Sequence, residues 1–312
     1  MTETRSHPFE ALGPDLLIDA VESQGFVSDG RFLALNSYEN RVYQIGIEDQ
    51  APMIAKFYRP ERWTNEQIHE EHEYCFQLME QELPVVCPWV NSRSDSLHNY
   101  GDFRFALYER KGGHAPELDN LDNLFILGRV LGRFHGIGAM QAFKHRPTLR
   151  VENFGWQSYR LISEQFMPQE LLPAYDSLAL DVLKKVDQLL EDYGPINNIR
   201  VHGDCHSGNI LWRDDYPHFV DFDDARMAPA IQDLWMLLSG DRQEQTLQMA
   251  ELIEGYNDFY DFDYRELRLI EVFRTLRIMH HSAWIARRWT DPAFPRAFTW
   301  FSSPRYWSDH IL

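Results

Sequence analysis

The spacing of hydrophobic and polar residues divides the chain into a first third with strand patterns and a remainder with helix patterns. Apolar and polar residues alternate in Arg41–Ile47, which predicts a half-buried strand. Three further segments have strand composition: Arg31–Leu35, Met53–Tyr58 and Phe103–Arg110. Two helices are predicted in the same region, Pro14–Gly25 and a helix that Thr64 caps and that extends to about Glu80.

Beyond residue 118 the apolar residues recur every three or four positions, which is typical of amphipathic helices. The predicted helices are Asp119–Gly136, Leu171–Tyr193, Ile231–Ser239, Gln243–Tyr260 and Tyr264–Trp289. A loop region, 199–224, interrupts this series and has a strand pattern on each side. We therefore predict an α+β, bilobal fold with a β-rich N-terminal lobe, 1–110, and a mostly α-helical C-terminal lobe, 111–312.

The composition narrows the classes of partner. The chain has 312 residues and a formal net charge of −18, and such a charge repels nucleic-acid phosphates. Its apolar runs are shorter than the roughly 20 residues that cross a bilayer, so we expect neither nucleic-acid nor membrane partners. Three cysteines without a CxxC pair favour a reducing cytoplasm.

The most informative spacing lies in the loop region. His202, Asp204 and Asn209 reproduce the H-x-D-x-x-x-x-N frame of kinase catalytic loops, and Asp221 follows twelve residues after Asn209. Phosphoryl transfer from ATP needs a carboxylate that accepts the proton of the attacking hydroxyl, and an amide and a second carboxylate that hold Mg²⁺. We predict Asp204 and Asp221 as catalytic residues and Asn209 and Asp221 as metal ligands, with ATP and Mg²⁺ as cofactors.

Neighbouring polar residues leave alternatives. Alternation along a strand would put Asp223 on the same side as Asp221, which makes Asp223 a reserve metal ligand. His202 is predicted to be a buried residue that holds the loop, because Gly203 and Gly208 argue against a helical H-x-x-x-H metal site formed with His206. Asp233 is predicted to accept main-chain hydrogen bonds from the catalytic loop.

Three residues of the first lobe are predicted to bind the nucleotide. Lys56, in Ile54-Ala55-Lys56, resembles the strand lysine that reaches the α- and β-phosphates. Its partner would be a glutamate of the next helix, and Glu71 is chosen because it shares the apolar stripe of that helix. The loop 35–41 contains no glycine, so side chains would meet the phosphates, with Ser37 preferred over Asn36 and Asn40.

Taken together, these motifs resemble the aminoglycoside phosphotransferase-like kinase family. The segments that carry the resemblance are His202–Leu211, Val220–Arg226, Asp233-Leu234, Lys56 and Leu131–His135. Three more segments resemble a bacterial subgroup of that family nearly end to end: Leu35–Tyr43, Lys56–Trp63 and Asp291–Pro295.

The resemblance implies a protein-kinase-like fold with a nucleotide-binding first lobe, and a cytoplasmic, monomeric Ser/Thr protein kinase linked to survival under stress. It implies that Asp204 accepts the proton, that Asn209 and Asp221 bind Mg²⁺, and that Ser37 contacts ATP. The acceptor would be a protein Ser/Thr, or the chain itself by autophosphorylation. Two rivals stay open: a small-molecule kinase for an amino alcohol, sugar or aminoglycoside-like acceptor, and a pseudokinase scaffold that holds nucleotide without turnover.

Overall fold

The computed structural model describes residues 7–311; residues 1–6 and 312, which belong to the two predicted lobes, lie outside the described residues. The chain forms two compact units. One consists of Phe9–Pro147 and Asn198–Tyr264, and the other is built mainly from Thr148–Asn197 and residues 265–311. The predicted lobe boundary at residue 110 is a different division of the chain and stays a prediction.

The first unit contains a five-stranded antiparallel sheet in the order β1-β2-β3-β5-β4. Its strands are β1 (Ser28–Ala34), β2 (Arg41–Ile47), β3 (Met53–Phe57), β4 (His98–Tyr100) and β5 (Phe103–Glu109). The bounds of β2 agree with the prediction, whereas β4, a three-residue edge strand, was not predicted. The predicted α+β fold class is confirmed by this sheet and by the mostly helical chain that follows it.

Alternation along β3 sends its side chains to two different partners. Ala55 and Phe57 are buried in a core that includes Leu17 and Val21 of α1 (Pro14–Glu22). Lys56 points to the opposite face, where Ile68 of α2 (Asn65–Glu80) packs with Tyr58 and Ala106. A buried lysine is thereby directed towards a helix.

Helix α2 begins as predicted. The side chain of Thr64 accepts a hydrogen bond from the main-chain N–H of Gln67, and the Gln67 side chain accepts one from the main-chain N–H of Thr64. This capping box satisfies two of the N–H groups that a helix start leaves unpaired. Glu71, Cys75 and Leu78 form part of its buried face, so the predicted stripe is confirmed.

The remainder of the first unit supports the loop region. It contains α3 (Leu121–Gly138), β6 (Ile199–Val201), β7 (Ile210–Arg213), β8 (Tyr216–Phe219), β9 (Arg226–Ala228), α6 (Ile231–Leu234) and α7 (Arg242–Tyr256). Strand β6 pairs with β9, and β7 pairs with β8. The two pairs enclose the predicted catalytic loop. The predicted helix Ile231–Ser239 is shorter, because a 3-10 turn replaces it at Trp235–Leu237.

The second unit is helical. A π-helical turn, Glu152–Trp156, leads into its first α-helix. The α-helices are α4 (Gln157–Gln165), α5 (Leu172–Tyr193), α8 (Ile270–Arg287), α9 (Ala293–Ala297) and α10 (Pro304–Ile311). Of these, α4, α9 and α10 were not predicted. Across the residues that the structure describes, we find no helix with the length and apolar character needed to span a membrane.

Candidate active site

Lys56 is the centre of a buried ion-pair cluster in the first unit. Its Nζ lies 3.0 Å from Oδ1 of Asp221, 3.1 Å from Oδ1 of Asp223 and 3.4 Å from Oε1 of Glu71. Burial opposes the charge of Lys56, but the three carboxylates raise its pKa well above the usual value. The structure therefore pairs Lys56 with the glutamate predicted from the helix pattern, and adds two aspartates.

Three glutamates in the middle of α2, Glu70, Glu71 and Glu73, have distinct partners. Burial raises the pKa of Glu71, although the Lys56 cation opposes this shift. Glu70 instead accepts hydrogen bonds from the main-chain N–H groups of residues 144–146, and Glu73 accepts one from Gln77. Only Glu71 among them contacts Lys56 in the described part of the chain.

Asp221 occupies a sharp bend rather than the end of a strand. Strand β8 ends at Phe219, and Asp221 has φ 60° and ψ 64° in the left-handed region, followed by a 3-10 turn at Phe222–Asp224. This conformation is uncommon for residues other than glycine, asparagine and aspartate. Half of the Asp221 side chain remains exposed (51%) while its carboxylate contacts Lys56.

Asp221 and Asp223 both direct a carboxylate at Nζ of Lys56, as the expectation that they share a side requires, but strand alternation is not the reason. The bend at Asp221 breaks the alternation, and Asp223 is buried. Burial opposes the charge of its carboxylate, yet Arg62, Lys56 and Arg146 hold its pKa well below the usual value. A carboxylate enclosed by three cations is anchored as a counter-charge, so Asp221 is the better candidate for a metal ligand.

The buried carboxylate of Asp233 fixes the start of the predicted catalytic loop, 202–209. Asp233 accepts hydrogen bonds from the main-chain N–H of His202 at 2.7 Å and of Gly203 at 2.8 Å, which confirms its predicted role. It also pairs with Nε2 of His135 at 3.1 Å. His202 is buried, with its Nε2 2.9 Å from the Val220 carbonyl, and this confirms the prediction that it holds the loop.

Asp204 and Asn209 follow on the same loop. The side-chain amide of Asn209 donates to the main-chain carbonyl of Asp204 at 2.9 Å. The main-chain carbonyl of Asn209 accepts from the N–H of Val220 at 3.0 Å, next to Asp221. Nε2 of His206 lies 3.5 Å from Oδ2 of Asp204. These hydrogen bonds connect the loop of Asp204 and Asn209 to the residue that precedes Asp221.

The donor set fits a hard divalent cation. Because the Asn209 N–H₂ group is used by the Asp204 carbonyl, the amide oxygen is the atom left to face a ligand. The half-exposed carboxylate of Asp221 offers oxygen ligands of the same kind. Mg²⁺ prefers oxygen ligands and commonly takes one or two from the protein and the rest from phosphates and water.

The loop 35–41 contains no glycine and is held by hydrogen bonds from side chains. Arg59 donates to the carbonyls of Tyr38 and Glu39, and its main-chain N–H donates to Oδ1 of Asn40, which is buried. Ser37 is half-buried, and its Oγ donates to the Asn40 carbonyl at 3.3 Å. No contact of the described residues joins Ser37 to Lys56, so its role at the nucleotide stays a prediction.

Two arginines of the site, Arg62 and Arg146, are not indicated by any sequence motif. Arg62 contacts Glu39, Asp223 and Asp224, and Arg146 lies 3.5 Å from Glu71 and donates to the carbonyls of Asp223 and Ala225. Their partners are distant in sequence. A signal was present in the cation-rich segment 59–62 next to a predicted site lysine, but no spacing rule connects it with residues 160 positions away.

Comparison with known proteins agrees with this geometry. Residues 31–270 match the family described as "Phosphotransferase enzyme family" (APH). The chain belongs to this family. It is 45% identical to the protein named stress response kinase A of Escherichia coli O157:H7 over 307 residues, 96% of this chain and 90% of that one. It is 42% identical, over the same shares, to a protein of Salmonella typhimurium named serine/threonine protein kinase RdoA.

The family assignment extends to the fold. A solved structure of an amicoumacin kinase in complex with AMP-PNP, Ca²⁺ and its ligand has a TM-score of 0.71, at 18% identity and 90% coverage of each chain. At that identity the likeness shows a shared fold. The family match and the curated relatives show that the chain is a phosphotransferase, and they confirm the predicted family resemblance.

Proposed function

We propose that the chain is an ATP- and Mg²⁺-dependent protein kinase that phosphorylates Ser or Thr hydroxyl groups. The observation that carries the proposal is the convergence of Lys56, Glu71 and Asp221, with the main-chain link from Asn209 to Val220 beside them. A phosphotransferase needs a cation for the phosphates, ligands for the metal and a base for the acceptor. The relative named serine/threonine protein kinase RdoA supports a protein acceptor.

In this proposal Asp204 accepts the proton of the acceptor hydroxyl while the hydroxyl oxygen attacks the γ-phosphorus. The bond between the γ-phosphorus and the oxygen that bridges it to the β-phosphate breaks, and ADP leaves. Lys56 holds the phosphates, and Glu71 keeps Lys56 oriented. Asn209 and Asp221 would hold Mg²⁺, which neutralises phosphate charge when bound. Ser37 would contact the nucleotide from the loop 35–41.

The test is incubation of the purified chain with γ-labelled ATP and Mg²⁺, with and without an added cell extract as a source of acceptor proteins. We expect label on serine or threonine of an extract protein or of the chain itself. Asp204→Asn should lower turnover by about 10²- to 10⁴-fold, the usual contribution of a general base, without lowering nucleotide affinity. Asp214→Asn, in the exposed turn after β7, is the matched control.

The other outcomes have different readouts. ADP release that requires an amino alcohol, a sugar or an aminoglycoside, without labelled protein, would identify a small-molecule kinase, and the net charge of −18 would favour a cationic acceptor. Nucleotide binding without ADP release under any condition would identify a scaffold. Either result would overturn the protein-kinase proposal.

A role in stress survival follows from the name of the relative in E. coli O157:H7. We expect the chain to restore stress survival to an E. coli strain that lacks its own stress response kinase A, and we expect Asp204→Asn to fail in this. Cytoplasmic location and a monomeric state are parts of the same proposal.

A further inference from the structure

The guanidinium of Arg62 joins two segments of the site that are distant in sequence, the loop 35–41 and the residues that follow Asp221. Nη1 of Arg62 lies 3.3 Å from Oε2 of Glu39 and 2.7 Å from Oδ2 of Asp223, and Nη2 lies 3.0 Å from Oδ1 of Asp224. The arginine side chain is 12% exposed. Glu39 belongs to the loop 35–41, and the two aspartates belong to the 3-10 turn that follows Asp221.

We propose that Arg62 is a positioning residue that couples the loop 35–41 to the bend at Asp221, and so sets the affinity of the site for nucleotide. The inference rests on the proposed function, since it assumes that nucleotide binds between these segments. Arg62 itself need not touch the nucleotide, because three carboxylates already surround its guanidinium.

The carboxylates that pair with Arg62 also contact other residues of the loop and of the Lys56 cluster. On one side, the Glu39 carboxylate also pairs with Nε of Arg59 at 3.1 Å, and Arg59 holds the carbonyls of the loop. On the other side, Asp223 contacts Lys56 at 3.1 Å through the oxygen that does not face Arg62. A displacement of the loop is therefore passed through Arg62 to Asp223, and from there to Lys56 and Asp221.

The chemistry of arginine explains why this residue has the role. Its planar guanidinium presents several donors in a fixed arrangement and can bridge more than one carboxylate at once, whereas a lysine ammonium is a compact point charge on a flexible stem. Arg226 also pairs with Asp224, whereas Arg62 reaches Asp224, Asp223 and Glu39. The Arg62 contacts connect the two segments.

The test measures binding of a fluorescent ATP analogue with Mg²⁺, together with KM for ATP and kcat. We expect Arg62→Lys, which keeps the charge, and Glu39→Gln, which keeps the shape, each to weaken nucleotide binding about tenfold while kcat changes less than threefold. Because both variants break the same bridge, the double variant should be no weaker than either single one. Arg31→Lys, whose pair with Asp29 is exposed on β1, is the control and should bind as the parent chain does.

The outcomes separate this inference from the function on which it rests. If the parent chain binds no nucleotide, the proposed function fails. If the parent binds and folded Arg62→Lys binds equally well, the coupling role is refuted. Additive losses in the double variant would also refute it, because the two residues would then act independently. Should Arg62→Lys fail to fold, Glu39→Gln alone decides.

Discussion

The ammonium of Lys56 lies 3.0 Å from the carboxylate of Asp221, although 165 residues separate them in sequence. Lys56 also has two buried carboxylate partners, Glu71 and Asp223. Lys56 therefore contacts three carboxylates with different proposed roles. Glu71 would orient the lysine, Asp223 would anchor the bend, and Asp221 would bind the metal.

Replacement of Lys56 by methionine is expected to reduce both activity and stability. Loss of Lys56 removes one of the cations that balance Glu71 and Asp223 and leaves Arg62 and Arg146 beside them. We therefore expect the free energy of unfolding to fall by at most about 3–5 kcal/mol, the cost of breaking a buried ion pair. We expect kcat/KM for ATP to fall at least about 10²-fold, on the scale of a lost electrostatic contact to the transferring group. Chemical denaturation and steady-state kinetics measure the two effects, with Lys185→Met on an exposed face of α5 as control. Unchanged values of both quantities would contradict the assignment.

Asp221→Asn is expected to separate metal-dependent from metal-independent nucleotide binding. The half-exposed carboxylate of Asp221 is the proposed ligand that adds charge to the metal site, so its loss should remove most of the gain in affinity that Mg²⁺ gives the parent chain. Titration of ATP with Mg²⁺ and with EDTA measures this gain. Asp215→Asn, at another left-handed position in an exposed turn, controls for the backbone conformation. An Asp221→Asn variant that keeps the full Mg²⁺ effect would exclude Asp221 as a ligand.

Gly203 and Gly194 allow a test of the close approach between Gly203 and Asp224, because the two glycines share the same φ and differ in their surroundings. Both have a φ of +84°, at which a residue with a side chain is strained, so alanine carries a backbone cost at either position. A Cβ on Gly203 would lie 2.2 Å from the carbonyl oxygen of Asp224, whereas a Cβ on Gly194 would meet open space. We expect Gly203→Ala to lose more stability than Gly194→Ala and to lose turnover. Equal losses of stability with turnover intact would show that the approach at Gly203 is unimportant.

Local patterns predicted those parts of the site that a single element specifies. The alternation of β2, the capping box at Thr64 and the stripe that selected Glu71 each depend on residues a few positions apart. The spacing of His202, Asp204 and Asn209 was informative for the same reason. Asp233 was assigned correctly because a buried carboxylate after the loop has few partners other than main-chain N–H groups.

The rest depended on contacts between distant segments. The burial of Asp223 among three cations was not predicted, because the left-handed backbone at Asp221, which no periodicity indicates, ends the strand two residues early. The role of Arg62 is set by partners in two other segments, Glu39 and Asp223. Strand β4 has three residues and exists because β5 pairs with it, so its own sequence carries little signal.

The stability of the chain is expected to fall in mild acid because of His72. This histidine is buried on α2, with Nε2 2.8 Å from the Tyr58 hydroxyl and Nδ1 2.9 Å from the Ser96 hydroxyl. Burial, assisted by the Lys56 cation, lowers the pKa of His72 well below 6.5. The unfolded chain therefore binds a proton near pH 6.5 that the folded chain does not, and stability is lost as the pH falls below that value, by up to about 1.4 kcal/mol per pH unit from this group.

Denaturation between pH 7.5 and pH 5 measures the effect. His72→Gln, which keeps polar atoms but does not titrate, should be less stable than the parent at pH 7.5 and should lose less stability on acidification. His145→Gln, at an exposed position outside this helix, is the control and should retain the parental slope. Because His98 and His310 also have lowered pKa values through burial, part of the slope should remain in every variant. A His72→Gln slope equal to that of the parent would show that the His72 proton does not contribute.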